Sequence, residues 1–273
     1  MSDPGLNVLA LQGLRAGRDL RGLRARIEQH LDDHGGYLAF SAGKDSLVVL
    51  DIARQVDPGV PVAFFDSGLE FPETYGYIEQ LAQQWRLNLD VIPARLSTLQ
   101  VLAEHGGWDH RARPAAAADL HQVLIVEPAA AAHRRWGPGE LWGVRAQESR
   151  GRAAAYTNAL RTAVCDCVPA CDMRDRRRRH GGRITRVDGT VAFGPVWDWK
   201  TSEIWGHISR RGLPVNPVYA KLRALGAPED FLRVSTMVEA GRLEEGRITW
   251  LRRGWPGLFE ELAHILPRLR EYV

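Results

Sequence analysis

The run Tyr37-Leu38-Ala39-Phe40, followed at once by Ser41-Ala42-Gly43-Lys44-Asp45-Ser46, constrains this chain more than any other. Its first four apolar residues suit a short buried parallel strand. Leu47 to Val56 then reads as a helix, so the six small and polar residues stand where a strand meets a helix N-terminus. Amides at such a junction carry partial positive charge and face outward. Gly43 lets the backbone approach an anion with no Cβ in the way. Ser41 and Ser46 add hydroxyl donors, Lys44 adds a full charge, and Asp45 can hold Mg²⁺ or orient the loop. The spacing G-x-x-x-x-G-K-[ST] is absent, so this is a phosphate-holding loop of another kind.

The elements around it point to an α/β fold. Leu20, Leu23, Ile27 and Leu31 predict a helix over residues 20–33, closed by His34-Gly35-Gly36, while residues 1–19 lack strong periodicity. Strands are expected at 60–65, at 89–92 and from Leu141 to Val144. Helices are expected at 72–86, 97–104, 119–136 and 201–210, with Thr201 as N-cap of the last, and in pieces between Leu222 and Val273. Residues 150–190 are Arg-rich and read mostly as loop. Strands that alternate with helices imply a parallel twisted sheet flanked by helices, Rossmann-like, with a small helical C-terminal region. Ligands bind such sheets at the carboxyl ends of the strands. Residues 41–46, 66–74 and 145–152 all fall there, which argues for one shared site.

Charge and cysteine content narrow the partners. A net charge of +3 is too mild to argue for nucleic-acid binding by itself. Its distribution says more: eight Arg and no Lys lie between Arg161 and Arg186, including Arg176 to Arg179. This is either a solvated segment or a dock for a polyanion such as DNA, RNA or a nucleotide phosphate. No apolar run approaches the roughly 20 residues that span a bilayer, and the first residues have no signal layout, so the expected location is the cytoplasm. All three cysteines sit in one heptapeptide, Cys165, Cys167 and Cys171. Clustered cysteines in a reducing compartment suggest metal or redox chemistry. Their spacing is unlike the paired knuckles of structural zinc. A [4Fe–4S] cluster with one open iron, a zinc ion, a persulfide carrier and unligated thiols all remain readings.

The motifs in order resemble a known family. Ser41 to Ser46 is similar to the SGGKDS PP-loop of the adenine nucleotide alpha-hydrolase-like superfamily of ATP pyrophosphatases. Phe65-Asp66-Ser67-Gly68-Leu69-Glu70-Phe71-Pro72-Glu73-Thr74 resembles the DTGxxFPET segment of phosphoadenosine phosphosulfate (PAPS) reductases. Gly143-Val144-Arg145-Ala146-Gln147-Glu148-Ser149, with Arg152 downstream, resembles their GxRxxES segment. Pro195 to Trp199 and Pro214 to Tyr219 resemble their P-x-x-x-W and P-x-N-P-x-Y segments. The resemblance is to the PAPS reductase-like branch, and it divides the chain into an N-terminal helical segment (1–36), a nucleotide-binding domain (37–219) and a C-terminal helical region (220–273). It departs from the pattern at Ala42, where the family has a second glycine. The assimilatory reductases also carry a nucleophilic cysteine in a Glu-Cys-Gly-x-His context near the C-terminus, whereas no cysteine follows Cys171. Reduction needs a thiolate.

What the resemblance implies is an enzyme using ATP, PAPS or adenosine phosphosulfate (APS), with Mg²⁺. Ser41, Ala42, Gly43, Lys44, Asp45 and Ser46 would hold the phosphates, Asp66 and Ser67 the adenosine, and Gly143, Arg145, Glu148 and Arg152 the far side. Lys44, Asp45 and Arg145 are the expected catalytic residues, with the Arg145 fork aimed at phosphate. Glu148 would steady Arg145 or Arg152, or bind metal. Plainer readings stand beside these: Asp66 and Ser67 as a turn cap, Glu73 and Thr74 as helix caps, an Arg145–Glu148 pair as structural. Trp142, Trp197, Trp199 and Trp205 read as core, Asn216-Pro217 as a turn, and His180 as solvated. Three functions follow. One is an ATP pyrophosphatase that adenylates a nucleic-acid substrate for sulfur transfer, as in DNA phosphorothioation, with a sulfur donor such as a cysteine desulfurase. The second is a sulfonucleotide reductase of sulfate assimilation. The third is a non-catalytic adenine-nucleotide-binding subunit.

Overall fold

The computed structural model describes residues 18–105, 109, 120–163, 173–235, 238 and 247–273. Its elements run α1 (Leu20–His34), β1 (Tyr37–Ala39), α2 (Lys44–Ala53), β2 (Pro61–Asp66), α3 (Pro72–Trp85), β3 (Asn88–Pro93) and α4 (Thr98–His105). A π-helical turn (Gln122–Val126) leads into α5 (Glu127–Trp136), then β4 (Gly139–Trp142), α6 (Arg150–Thr162), α7 (Met173–His180), β5 (Arg183–Thr185) and β6 (Val191–Phe193). The chain continues through α8 (Thr201–Arg211), α9 (Val218–Ala224), α10 (Ile248–Gly254) and α11 (Pro256–Ile265).

Six strands form one sheet in the order β3-β2-β1-β4-β6-β5. All neighbours are parallel except the β5–β6 pair. The fold is therefore the expected parallel sheet with helices on both faces. Alternation along β1 shows how the faces divide, since successive side chains of a strand point opposite ways. Leu38 joins Val62, Phe64, Leu141 and Phe193 in the large core under α2. Tyr37 goes to the other face with Ala63 and Ala132, against His133 and Trp136 of α5. Helix α2 is sandwiched between sheet and α8, which is why its residues from Ser46 to Ala53 are all buried. Each such Val, Leu or Ile contributes about 1.5–3 kcal/mol. Side chains as far apart as Leu23 and Tyr272 share this core.

Three expectations are corrected. Residues 150–190 are not mostly loop. Ser149 caps α6 by accepting from the Arg152 amide at 3.2 Å, and α6 buries only Tyr156 and Leu160, a stripe too narrow to show as periodicity. Arg is a good helix former, so an Arg-rich segment stays helical with little apolar signal. The strands β5 and β6 form a hairpin across Val187-Asp188-Gly189-Thr190, with Gly189 at φ 84°. An Asp-Gly pair is a hairpin signal, but the flanking strands are only three residues long. Finally, β4 ends at Trp142, not at Val144, and the α8 cap position is Lys200, not Thr201. Glu203 makes the cap there, its Oε2 accepting from the Lys200 amide at 2.7 Å. The expectation for residues 1–19 falls almost wholly outside the described residues. Trp197, Trp199 and Trp205 are buried as expected, while Trp142 is partly exposed under Arg186.

Candidate functional site

Strands β2, β1 and β4 lie side by side and parallel, so the loops after them leave from one edge of the sheet. The direction of chain growth reverses there: β2 and β3 lie on one side of β1, β4 and β6 on the other. Such a switch point opens a crevice beside the first strand's loop. The loop from Ser41 to Ser46 fills that position.

Its hydroxyls converge on Gly43. A Cβ placed on Gly43 would stand 3.3 Å from Ser41 Oγ, 3.4 Å from the Tyr219 hydroxyl and 3.7 Å from Val234 Cγ2. Ser46 Oγ donates to the Gly43 carbonyl at 3.0 Å and lies 3.2 Å from Ser41 Oγ. Gly43 caps α2 in an extended conformation, with no side chain at the cap. Ala42 sits at φ 56°, a left-handed conformation in which its Cβ is strained, which explains why a glycine is the family's residue there. A cradle of this kind, small at its centre and rimmed by hydroxyls and a helix N-terminus, suits a phosphate.

Charge is concentrated behind the cradle. Lys44 Nζ lies 2.7 Å from Asp45 Oδ2, and Arg145 Nε lies 2.6 Å from Asp45 Oδ1. The second pair is close but not aligned as a hydrogen bond. Burial alone would push the Lys44 ammonium down, but Asp45 and Tyr219 outweigh it and its pKa is raised. Arg145 is 2% exposed. Its Nη1 donates to the Trp199 carbonyl at 3.0 Å and to Gln147 Oε1 at 3.1 Å, and its Nη2 to Thr201 Oγ1 at 3.4 Å. The expectation of a guanidinium fork aimed at phosphate is thus revised. The Asp45 carboxylate is nearer, and Arg145 acts on the loop through it. Glu148 steadies this arrangement, accepting from the Arg145 amide at 2.9 Å and pairing with Arg152. Gly143 serves by its size: a Cβ there would meet the Ser46 amide at 2.5 Å, so glycine lets the chain leaving β4 run against the start of α2.

Asp66 and Ser67 shape the neighbouring loop. Asp66 Oδ1 accepts from the Gly68 amide at 2.9 Å and from the Tyr75 hydroxyl at 2.8 Å. Ser67 Oγ donates to Glu70 Oε1 at 2.9 Å. Burial, opposed by that bond and reinforced by the Asp66 charge, pushes Glu70 up to about 7. Sequence reasoning gave Glu70 no role. It also read Asn216 as a turn residue and Thr74 as a cap. Asn216 does hold that turn, its Oδ1 accepting from the Val218 amide at 3.0 Å, and its Nδ2 also donates to Thr74 Oγ1 at 3.1 Å and to the Ala42 carbonyl at 3.4 Å, bracing the loop. Glu73 binds Lys221 Nζ and Trp255 Nε1, each at 2.7 Å, which ties α3 to the C-terminal helices. The P-x-N-P-x-Y segment carries the signal for Asn216, but its partners Thr74 and Ala42 lie 142 and 174 residues away along the chain.

The residues at the loop fit Mg²⁺ in one way. Among the described residues no three His, Cys, Asp or Glu side chains are grouped as a metal cage. Mg²⁺ with a nucleotide needs only one or two carboxylates beside phosphate oxygens and waters. Asp45 is the carboxylate at this place, with Lys44 Nζ 2.7 Å from its Oδ2 and Arg145 Nε 2.6 Å from its Oδ1, so it would take Mg²⁺ by exchanging one of these cations. Cys165, Cys167 and Cys171 lie outside the described residues. His180 is half-buried at the end of α7, its pKa lowered by burial and then by Arg183 and Arg26.

Residues 36–229 match the phosphoadenosine phosphosulfate reductase domain. A phosphoadenosine 5′-phosphosulfate reductase of Serratia proteamaculans is 30% identical over 183 residues, covering 63% of this chain and 70% of that protein. One from Xanthomonas axonopodis pv. citri is 26% identical over 253 residues, covering 92% and 83%. Among solved structures, the phosphoadenylyl-sulfate (PAPS) reductase from Candida auris in its phosphate complex superposes with a TM-score of 0.50 at 18% identity. That match covers 83% of this chain and 93% of that one, and it is a likeness of fold.

Proposed function

The chain belongs to the phosphoadenosine phosphosulfate reductase domain family, and from that premise we propose that it is a nucleotide-using enzyme whose substrate is ATP. ATP would lie with its phosphates on Ser41 to Ser46 and its adenosine toward Asp66 and Ser67. An oxygen of an acceptor attacks the α-phosphorus, the bond to the β-phosphate breaks, pyrophosphate leaves, and the acceptor carries AMP. A reduced sulfur nucleophile then displaces AMP from the acceptor. The observation that carries this reading is the cradle at Gly43 with Lys44 held charged behind it. Fixed donors aimed at developing phosphate charge lower the barrier because they need no reorganisation. Mg²⁺, when bound with the nucleotide, would be held by Asp45 and would neutralise phosphate charge. Arg145 keeps Asp45 in place.

The acceptor proposed is a nucleic acid. Helices α6 and α7 lie in contact and expose Arg150, Arg152, Arg161, Arg174, Arg178 and Arg179. Arg152 reaches back to Glu148, so this basic surface begins at the site itself. Asp175 and Asp198 offset part of it through Arg178 and Arg177. Phosphate backbones bind such surfaces with a steep salt dependence.

A second reading is sulfonucleotide reduction, favoured by the names of the relatives at 26–30% identity. One experiment separates the two. Purified protein is given ATP with Mg²⁺ and DNA or RNA as acceptor, and separately PAPS or APS with reduced thioredoxin. Pyrophosphate release that disappears in Lys44→Ala supports the first reading. Sulfite release with no pyrophosphate supports the second and overturns the first.

A further inference from the structure

Tyr219 closes the P-x-N-P-x-Y segment but carries no role read from the sequence, and its hydroxyl lies 3.0 Å from a backbone amide of the loop. Its ring is 3% exposed and packs edge-on against Trp205, with centroids 5.6 Å apart at 85°. Asn216 accepts from the Val218 amide at 3.0 Å within the segment and donates to the Ala42 carbonyl, so the segment carrying Tyr219 is turned tightly and fastened to the loop. The hydroxyl therefore has little freedom to move.

The phenol oxygen accepts from the Lys44 amide at 3.0 Å. That use has two consequences. First, the Lys44 amide is turned away from any anion on the loop. Second, the oxygen has its acceptor role filled and keeps one O–H to donate. No side chain or carbonyl among the described residues is paired with that proton. Asp45 approaches Lys44 and Arg145 instead. The hydroxyl stands 3.4 Å from where a Cβ of Gly43 would lie, beside Ser41 Oγ at 3.3 Å, on the same cradle. Burial raises the Tyr219 pKa, opposed by the Lys44 charge, so the phenol keeps its proton and remains a donor.

We propose that Tyr219 is a phosphate-binding residue, which takes the place of the Lys44 amide on the loop and donates its own hydroxyl proton to the 5′-attached phosphate of the nucleotide. Tyr219 thus passes the helix's first orphan donor on to the ligand, polarised by the amide behind it. A hydrogen bond to a charged phosphate oxygen is roughly twice as strong as a neutral one. This inference rests on the nucleotide reading above but not on which reaction follows.

The test compares Tyr219→Phe with wild type by calorimetry, using ATP and adenosine as separate probes, alongside melting. The expected result is about a tenfold loss in ATP affinity with adenosine affinity unchanged. An equal loss for both probes, or no loss for either, overturns the proposal. Replacement of Tyr219 by 3-fluorotyrosine guards against a misfolded variant, because it keeps the acceptor for Lys44 and makes the donor more acidic. It should hold or tighten ATP, and weakened ATP binding there would also overturn the proposal. Failure of wild type to bind ATP at all would instead sink the nucleotide reading.

Discussion

Lowering the pH from about 7 to about 5.5 should leave the stability of this protein almost unchanged, because a buried histidine and a half-buried glutamate oppose each other across that window. His30 is 0% exposed, packed on Phe193 and edge-on to His34. Burial, helped by His34 and Arg183, pushes its pKa from 6.5 to about 3. A histidine with a depressed pKa binds fewer protons folded than unfolded, so its contribution is full above 6.5 and is lost as pH falls below it. Linkage puts that loss at about 1.2 kcal/mol over the window. Glu70 goes the other way, with a pKa raised from 4.5 to about 7. Its folded form holds a proton that the unfolded chain gives up, so it adds stability as pH falls from 7 toward 4.5. The full shift gives about 1.6 kcal/mol, and partial exposure of the side chain trims this to about 1 kcal/mol. Urea titrations at both pH values resolve such differences. His30→Leu should become about 1 kcal/mol more stable on acidification, and Glu70→Gln about 1.2 kcal/mol less stable. If both variants followed the wild-type pH dependence, the assignment of these two protons would be wrong.

Two further outcomes follow from packing. Gly143→Ala places a methyl against the Ser46 amide, which must shift, so a loss of about 2 kcal/mol in denaturant unfolding and weaker ATP binding are expected together. Wild-type stability in that variant would mean that the chain leaving β4 is not in close contact with α2. Asp51, 6% exposed, accepts from His207 Nε2 at 2.8 Å and pairs with Arg211. Asp51→Ala should cost about 2–3 kcal/mol by leaving buried His207 without its partner. Adding His207→Phe should recover part of that, and strict additivity in the double-mutant cycle would count against the pairing.

The parts of this fold that were legible in sequence are those whose signal is local. The strand at Tyr37, the loop after it and the helix expected from Leu47 each announce themselves through apolar runs and small residues, although the helix starts three residues earlier, at Lys44. Helix α6 did not, because Tyr156 and Leu160 are its whole buried stripe and the remaining positions are Arg, Ala and small polar residues. Hairpin β5–β6 did not, because three-residue strands carry no period. In the candidate site, residue types were legible but directions were not. Arg145 is where the motif suggested, yet its donors turn to Gln147, Thr201 and a carbonyl of Trp199. That choice depends on what β6 and α8 bring near it. Tyr219 and Asn216, about 175 residues from the loop they brace, were out of reach for the same reason.

The charge arrangement at the loop explains why a carboxylate belongs in a phosphate site at all. Lys44 and Arg145 would otherwise be two like charges, both nearly buried, held apart by nothing. Repulsion between them, added to desolvation, would push the lysine out toward water or toward its neutral form. Asp45 sits between the two and removes that penalty, and the group retains one net positive charge. An arriving polyphosphate then meets cations already dehydrated and oriented, so less of its binding energy goes into arranging them. The same logic limits what substitution can achieve. Asp45→Asn would remove a negative charge from the phosphate site and, by attraction alone, should tighten ATP. By the arrangement described it should weaken ATP instead, because Lys44 and Arg145 lose the group that holds them. The sign of that change, read by calorimetry beside Asp45→Ala, decides whether Asp45 orders the site or only opposes it.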